Sequence, residues 1–158
     1  MTAPDPAVLE LLREQSGLSI DREGRFLHRG EPITHARTLE VLWGSLERNA
    51  DGRYQVHVGR EVGYVTLEDA PYGVRGITWD GDAPNVHLSD GSVERLDPAT
   101  LSVDGDGVLH CIVKGGAHRA RFSRAAQVTL GLALSEDPRS PDRYRLQIGD
   151  ASFQVRPE

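Results

Sequence analysis

Leu18-Ser19-Ile20-Asp21 recurs in the chain as Leu101-Ser102-Val103-Asp104, 83 positions later. Tyr54-Gln55-Val56-His57-Val58-Gly59 likewise recurs as Tyr144-Arg145-Leu146-Gln147-Ile148-Gly149, 90 positions later. Two further matches lie between these landmarks and keep the same order. They are Phe26–His28 with Val108–His110, and Ile33–Ala36 with Phe122–Ala125. A set of matches in one order predicts an internal duplication.

Each copy has the pattern of a small sheet that carries one helix. Tyr54 to Val58 alternates apolar and polar residues, which is typical of a half-buried strand. Thr34 and Ser123 each precede an apolar helical pattern, so we expect both hydroxyls to cap helices. The sequence therefore predicts an α+β fold with two pseudo-symmetric ββαββ-like repeats, each an antiparallel sheet with one helix.

Four segments follow from this pattern. They are a short N-terminal helix (1–16), a first repeat (17–74), connecting strands with a hairpin (75–97) and a second repeat (98–158). Asp5 before Pro6 favours a helix start, and Ser89-Asp90-Gly91-Ser92 is typical of a hairpin turn. A unit of about 60 residues buries little apolar surface alone, so we expect the repeats to share a core with a groove at their junction.

Charge and composition exclude several classes of protein. The 158 residues include 24 acidic and 18 basic side chains, and a net charge of −6 repels phosphate backbones, so no nucleic acid is expected. No apolar run approaches the roughly 20 residues of a membrane span. The single cysteine, Cys111, excludes a disulfide framework and is expected in the core. The N-terminus has no secretory pattern, so we expect a bacterial-type cytoplasmic protein.

Part of the chain resembles a known family. The resemblance is carried by Gly30–Ile33, by Leu39, Leu42 and Leu46, by Asp51–Tyr54, by Glu61, and above all by Glu68-Asp69-Ala70-Pro71-Tyr72. These segments are similar to the uncharacterised bacterial domain-of-unknown-function family 1285. The resemblance implies an α+β fold with repeated motifs, no established enzymatic activity, and a role in signal transduction or ligand sensing. It carries over no catalytic residue.

The best candidate ligand site from the sequence lies around one hairpin. Glu68 and Asp69 end a strand close to Tyr72, and Arg60 and Glu61 lie at the hairpin tip. A carboxylate pair beside an aromatic ring could bind a cation or act as acid and base. A strand-ending turn whose aspartate caps backbone N–H groups is the alternative interpretation.

Two further sets of residues are weaker candidates. His28 and His110 occupy matching positions in the two copies, so they could share a ligand or a proton if symmetry brought them together. Arg119, Arg121 and Arg124 could bind a phosphate or an acidic partner. Solvent-facing histidines and a solvated charged face are the respective alternatives.

The sequence predicts no metal site and no cofactor. No two histidines have metal-ligand spacing, and Asp104-Gly105-Asp106-Gly107 and Asp80-Gly81-Asp82 have the composition of turns. The expected function is a cytoplasmic, non-catalytic module for ligand binding or for regulation in signal transduction, which binds a small ligand or a protein partner in the groove. The alternative is a small hydrolase or lyase that uses Glu68, Asp69 and a histidine. The sequence leaves the oligomeric state open.

Overall fold

The computed structural model describes residues 6–158, except the side chains of residues 9, 11, 12, 141 and 142. The helices are α1 (Pro6–Glu14), α2 (Ala36–Ser45) and α3 (Arg124–Gly131), with a short 3-10 helix at Pro98–Thr100. The strands, in chain order, are β1 (Leu18–Ile20), β2 (Phe26–His28), β3 (Glu31–Pro32), β4 (Glu47–Arg48), β5 (Tyr54–Val58), β6 (Glu61–Leu67), β7 (Tyr72–Asp80), β8 (Ala83–Leu88), β9 (Val93–Arg95), β10 (Ser102–Val103), β11 (Leu109–Val113), β12 (His118–Phe122), β13 (Leu134–Asp137), β14 (Ser140–Ile148), β15 (Ala151–Gln154) and β16 (Arg156–Pro157). Helices and mainly antiparallel sheets together confirm the predicted α+β class.

The chain forms two compact units, Met1–Asp69 and Ala70–Glu158, which we call unit 1 and unit 2. This division does not test the predicted segments 1–16, 17–74, 75–97 and 98–158, which stay predictions. Within residues 6–158, no helix is long and apolar enough to cross a membrane.

Unit 1 is a six-stranded sheet in the order β3-β2-β1-β6-β5-β4. β1 and β6 run parallel, while the other neighbouring strands are antiparallel. Helix α2 packs on β5 and supplies Leu42 to a core that also contains Ile20, Phe26, Val56 and Val65. The Phe26 and Trp43 rings meet edge to face, with centroids 4.5 Å apart, so a pair of aromatic rings fills this core.

Unit 2 has a seven-stranded sheet in the order β16-β10-β11-β12-β7-β8-β9 and a three-stranded sheet in the order β13-β14-β15. β10 pairs in parallel with β16, and β12 pairs in parallel with β7. Helix α3 packs on β7 and β12, and its side chains Ala126 and Leu130 are fully buried.

The helix starts show one prediction confirmed and one wrong. Ser123 caps α3 as predicted, because its Oγ accepts a hydrogen bond from the N–H of Ala126 at 3.1 Å. Thr34 does not cap α2. The cap is His35, whose Nδ1 accepts from the N–H of Thr38 at 3.3 Å. The imidazole offers the same kind of acceptor as a hydroxyl, one residue further along. The predicted cap at Asp5 lies outside the described residues.

The helix ends also differ from the apolar pattern, which predicts a first helix that ends near Asn49 and a second helix that carries Leu132 and Leu134. α2 stops at Ser45, well before Asn49, because Leu46 is already extended and Glu47 joins β4. α3 stops at Gly131, so Leu132 and Leu134 lie outside it, and Leu134 begins β13. The predicted turn at Ser89–Ser92 is confirmed, with Gly91 at φ +88° and β8 paired to β9.

A contact at Gly63 predicts a large effect of one methyl group. A Cβ there would lie 2.9 Å from Cβ of Ser16, whose Oγ donates to the carbonyl of Tyr64 and accepts from the N–H of Leu18. We expect Gly63→Ala to lower the free energy of unfolding in urea by about 1–3 kcal/mol. Gly44→Ala is the matched control. Gly44 lies in α2 with no other atom within 4 Å of an added Cβ, so this variant should gain up to about 1 kcal/mol. Equal urea midpoints for the two variants would contradict this account.

Candidate functional site

Unit 2 contains a pocket of about 670 Å³. One wall is the face of α3 that carries Gln127, Val128 and Gly131. The opposite wall comes from the strands and includes Leu109 and Tyr144. This volume lies within the range of small-molecule binding sites, and the mixture of a largely apolar wall with a few polar groups is typical of them.

The polar side chains that line the pocket are of two kinds. The amide of Gln127 is engaged by the backbone: its Oε1 accepts from the N–H of Leu109 at 3.0 Å, and its Nε2 donates to the carbonyl of Gly107 at 2.8 Å. These bonds join α3 to the start of β11, and all three residues line the pocket. The guanidinium of Arg143 and the hydroxyl of Tyr144 lie on exposed residues of β14, where an entering molecule can meet them.

Apolar side chains around this pocket are unusually exposed. Val128 is 62% exposed and Tyr144 is 48% exposed, and both line the pocket. Leu132, which follows Gly131, is 87% exposed. A cluster of large, exposed apolar side chains is typical of an interaction site.

A second notable feature of unit 2 is a charged array on one face of the seven-stranded sheet. Ser102, His110 and Arg121 lie opposite one another across β10, β11 and β12, and Arg119 is two residues from Arg121 on the same face. Nη2 of Arg119 donates to both carboxylate oxygens of Glu158, at 2.5 and 2.7 Å. The array therefore joins the predicted residues His110, Arg119 and Arg121.

Asp104 lies close to His110 and Glu158 of this array, and the three residues have the geometry of a small ligand set. One ligand atom from each of Asp104, His110 and Glu158 lies within 4.8 Å of the others, and Nδ1 of His110 is 3.8 Å from Oε1 of Glu158. Each carboxylate already has donors, because Arg119 binds Glu158 and the N–H groups of a turn bind Asp104. A metal ion would have to displace the guanidinium, so the present arrangement is that of an ion-pair network.

The hydrogen bonds at Asp104 also affect its ionisation. The N–H of Val108 lowers the pKa of Asp104 against partial burial, and the N–H of Asp106 and the charges of His110 and Arg121 lower that pKa further. The carboxylate is therefore held in its charged form. This is the behaviour of an Asx turn, which was the interpretation from the sequence.

A third feature surrounds Lys114, the one lysine in the chain. Its Nζ donates to Oδ2 of Asp90 at 2.6 Å and to Oγ of Ser92 at 2.9 Å. The ammonium also lies 5.3 Å from the centre of the Tyr72 ring. Burial alone would raise the pKa of Asp90, but the hydrogen bonds from Lys114 and Ser92 together bring that pKa below its usual range.

The residues of the predicted hairpin site have separate surroundings. Arg60 and Glu61 lie exposed at the β5–β6 turn. Glu68 receives a hydrogen bond from the N–H of Arg22 and pairs with its guanidinium at 3.1 Å. Asp69 is the last residue of unit 1, whereas Tyr72 is buried in β7 of unit 2 beside the imidazole of His118.

The two predicted histidines differ in environment. His28 is exposed on β2 of unit 1, and His110 is 1% exposed on β11 of unit 2. Their joint action stays a prediction. Arg124 is exposed at the first turn of α3. Cys111 is fully buried, as predicted, and burial raises the pKa of its thiol to about 12, which suppresses the reactive thiolate.

Sequence reasoning did not identify the pocket or its residues Gln127, Gly131 and Arg143. Nor did it identify Glu158 as a partner of Arg119. A signal for the pocket was present, because Gln127 and Gly131 interrupt the apolar pattern of the second helix.

The fold is similar to two crystal structures of DUF1285 family proteins. One is from Silicibacter pomeroyi, with a TM-score of 0.68 and 15% identity over 99% of this chain and 90% of that chain. The other is from Shewanella baltica, with a TM-score of 0.59 and 18% identity over 74% of this chain and 91% of that chain. No family model and no functionally curated protein matches the sequence. The predicted resemblance is thus confirmed at the level of the fold.

The Lys114 cluster predicts a pH-dependent contribution to stability. Because the pKa of Asp90 is lowered on folding, its contribution is complete above the ordinary aspartate pKa of about 3.9 and is lost as the pH falls through the lower, folded value. We expect Asp90→Asn to lower the free energy of unfolding in urea by about 1–2 kcal/mol at neutral pH, since it weakens the bond to the partly buried Lys114 side chain. The difference from wild type should shrink below about pH 4.

Asp80→Asn is the matched control for this measurement. Asp80 pairs with Arg95 at 3.1 Å with both side chains well exposed, so its removal should cost less than about 1 kcal/mol. An Asp90→Asn difference that is independent of pH, or no larger than that of Asp80→Asn, would refute the role given to Asp90.

Proposed function

We propose that this protein is a non-catalytic ligand-binding module of the cytoplasm, with a regulatory role such as signal transduction, and that its binding site is the pocket in unit 2. The single observation that carries this proposal is the pocket of about 670 Å³ between α3 and the strands, with exposed apolar side chains around it. A site of this kind recognises a small molecule by shape and apolar contact.

We also propose that the chain contains two copies of one ββαββ-like repeat. Strand pairing supports this, because pairs in unit 1 are matched by pairs of the same direction in unit 2 at positions 83 or 90 residues later. The matched pairs are Ser19–Thr66 with Ser102–Arg156, Ile20–Leu67 with Val103–Pro157, Gln55–Tyr64 with Arg145–Gln154, and Val58–Glu61 with Ile148–Ala151. The helices keep the same order at an offset of 88, which relates the caps His35 and Ser123 and the buried residues Leu42 and Leu130. This offset is one less than that of the sequence match of Ile33–Ala36 with Phe122–Ala125, because His35 and not Thr34 caps α2.

The surroundings of the candidate acids favour binding over catalysis. A general acid or base needs a carboxylate or an imidazole that faces the substrate with its proton free to move. The carboxylate of Glu68 is instead bound by Arg22, and that of Glu158 is bound by Arg119. The hydrolase or lyase alternative, and the groove predicted between the repeats, stay predictions.

A substitution at Gly131 tests the proposed site. Gly131 lines the pocket, and no other atom lies within 4 Å of a Cβ added there, so α3 has room for a side chain. We expect wild type to bind the neutral dye Nile red with a rise in fluorescence. Gly131→Trp should weaken that binding at least tenfold, because the indole occupies the pocket.

Gly44→Trp is the control, since Gly44 lies in the other helix with equally open space around it. This variant should bind the dye as wild type does. Thermal unfolding of both variants establishes that they fold. Unchanged dye binding by folded Gly131→Trp would disprove that the pocket is the site.

A further inference from the structure

The residues that line the pocket of unit 2 correspond in sequence to residues that form the core of unit 1. This comparison rests on the proposed function and on the duplication proposed with it. At the offsets given above, the lining residues Val103, Leu109, Gln127, Gly131, Tyr144 and Val155 correspond to Ile20, Phe26, Leu39, Trp43, Tyr54 and Val65. All six residues of unit 1 belong to its hydrophobic core or pack directly against it. The pocket is therefore the place where a closed core would otherwise be.

Loss of aromatic rings accounts for the open space. The largest difference is at Gly131, where the corresponding residue Trp43 carries an indole. Leu109 likewise replaces Phe26, so unit 2 lacks both rings of the edge-to-face pair that fills unit 1. The strand pairing relates Phe26 to Leu109, since Val103 lies opposite Leu109 as Ile20 lies opposite Phe26. This register differs by one residue from the sequence match of Phe26–His28 with Val108–His110, and it relates His110 to Leu27. Unit 2 thus has no aromatic side chain at position 109 or at position 131.

Other parts of the wall are retained. Tyr144 corresponds to Tyr54, and Leu134 and Val155 correspond to Leu46 and Val65, which pack in or against the core of unit 1. An apolar lining that includes the ring of Tyr144 suits an aromatic guest in an edge-to-face or offset arrangement.

The pocket also has a positively charged side chain. Arg143 of the pocket corresponds to Arg53 of unit 1. Nη1 of Arg53 binds the carboxylate of Glu14 at 3.1 Å and lies 3.7 Å from that of Glu10, and its guanidinium stacks on the Tyr64 ring at 3.6 Å. In unit 1 this position thus binds carboxylates supplied by α1. A guanidinium at the same position of the repeat beside an open pocket is suited to a carboxylate supplied by a ligand.

We infer that the pocket of unit 2 binds a small planar aromatic carboxylate. Its rings take the place that Phe26 and Trp43 fill in unit 1, and its carboxylate pairs with Arg143. The amide of Gln127 is held by backbone groups and contributes to the shape of the pocket. Aromatic stacking supplies the affinity, and the guanidinium distinguishes an anion from a neutral compound of the same shape.

Three probes of similar size test this inference with the full chain by isothermal titration calorimetry. They are 2-naphthoate, the neutral isostere 2-naphthamide, and the aliphatic decanoate. Wild type should bind 2-naphthoate at least tenfold more tightly than either of the others. Arg143→Gln should remove most of the preference for 2-naphthoate over 2-naphthamide, and Gly131→Trp should abolish the binding of both.

Arg139→Gln is the matched control, because Arg139 is an exposed arginine on the preceding turn and does not line the pocket. This variant should bind all three probes as wild type does, which separates the role of Arg143 from the general loss of one positive charge.

Several outcomes would overturn the inference while leaving the proposed function intact. Decanoate bound more tightly than 2-naphthoate, with Nile red binding still sensitive to Gly131→Trp, would mean that the ligand is aliphatic. A preference for 2-naphthoate that Arg143→Gln does not change would refute the carboxylate contact. A concentration-dependent dimer that Gly131→Trp abolishes would mean that a second copy of the chain fills the pocket. The absence of any binding, Nile red included, would refute the proposed function as well.

Discussion

The parallel pairing of β1 with β6 in unit 1, and of β10 with β16 in unit 2, is the constraint on which the rest of each unit depends. β1 and β6 are separated by about forty residues, which include α2 and a hairpin, and their pairing fixes that helix against the sheet. Such a long-range pairing closes a large loop, and the entropy it costs is offset only by apolar burial beneath the helix. The side chains that pack beneath the helix therefore determine both the stability of the unit and the space that it has for a ligand.

The two units use the space beneath the helix differently. In unit 1 the Phe26 and Trp43 rings fill it, and buried aromatic side chains are among the largest single contributions to a core. In unit 2 Leu109 and Gly131 leave it open, so part of that contribution is missing. Polar interactions also hold unit 2 together, among them the Lys114–Asp90 ion pair and the bonds of Gln127 to the backbone. Unit 1 thus has a closed core beneath its helix, whereas the helix of unit 2 lines a pocket.

Some features of the fold and site could be predicted residue by residue, and others could not. The hairpin turn at Asp90 and Gly91 and the cap at Ser123 follow from local chemistry and are confirmed. The cap of α2 was wrong by one residue, because Thr34 and His35 both offer an acceptor and only the path of the chain selects between them. Arg119 was singled out as a cation, but its partner Glu158 could not be, since the parallel pairing of β16 with β10 brings them together.

The amino-acid pattern alone determined the α+β class and the burial of Cys111, because alternation, capping and turn chemistry act within a few residues. Only the tertiary structure decided that the helix of unit 2 covers a pocket, that Arg143 lies beside it, and that Asp104, His110 and Glu158 meet on one sheet face. These arrangements depend on the pairing of strands that are far apart in the chain. The size of a space between packed elements depends on all their side chains together, so no local sequence pattern predicts it.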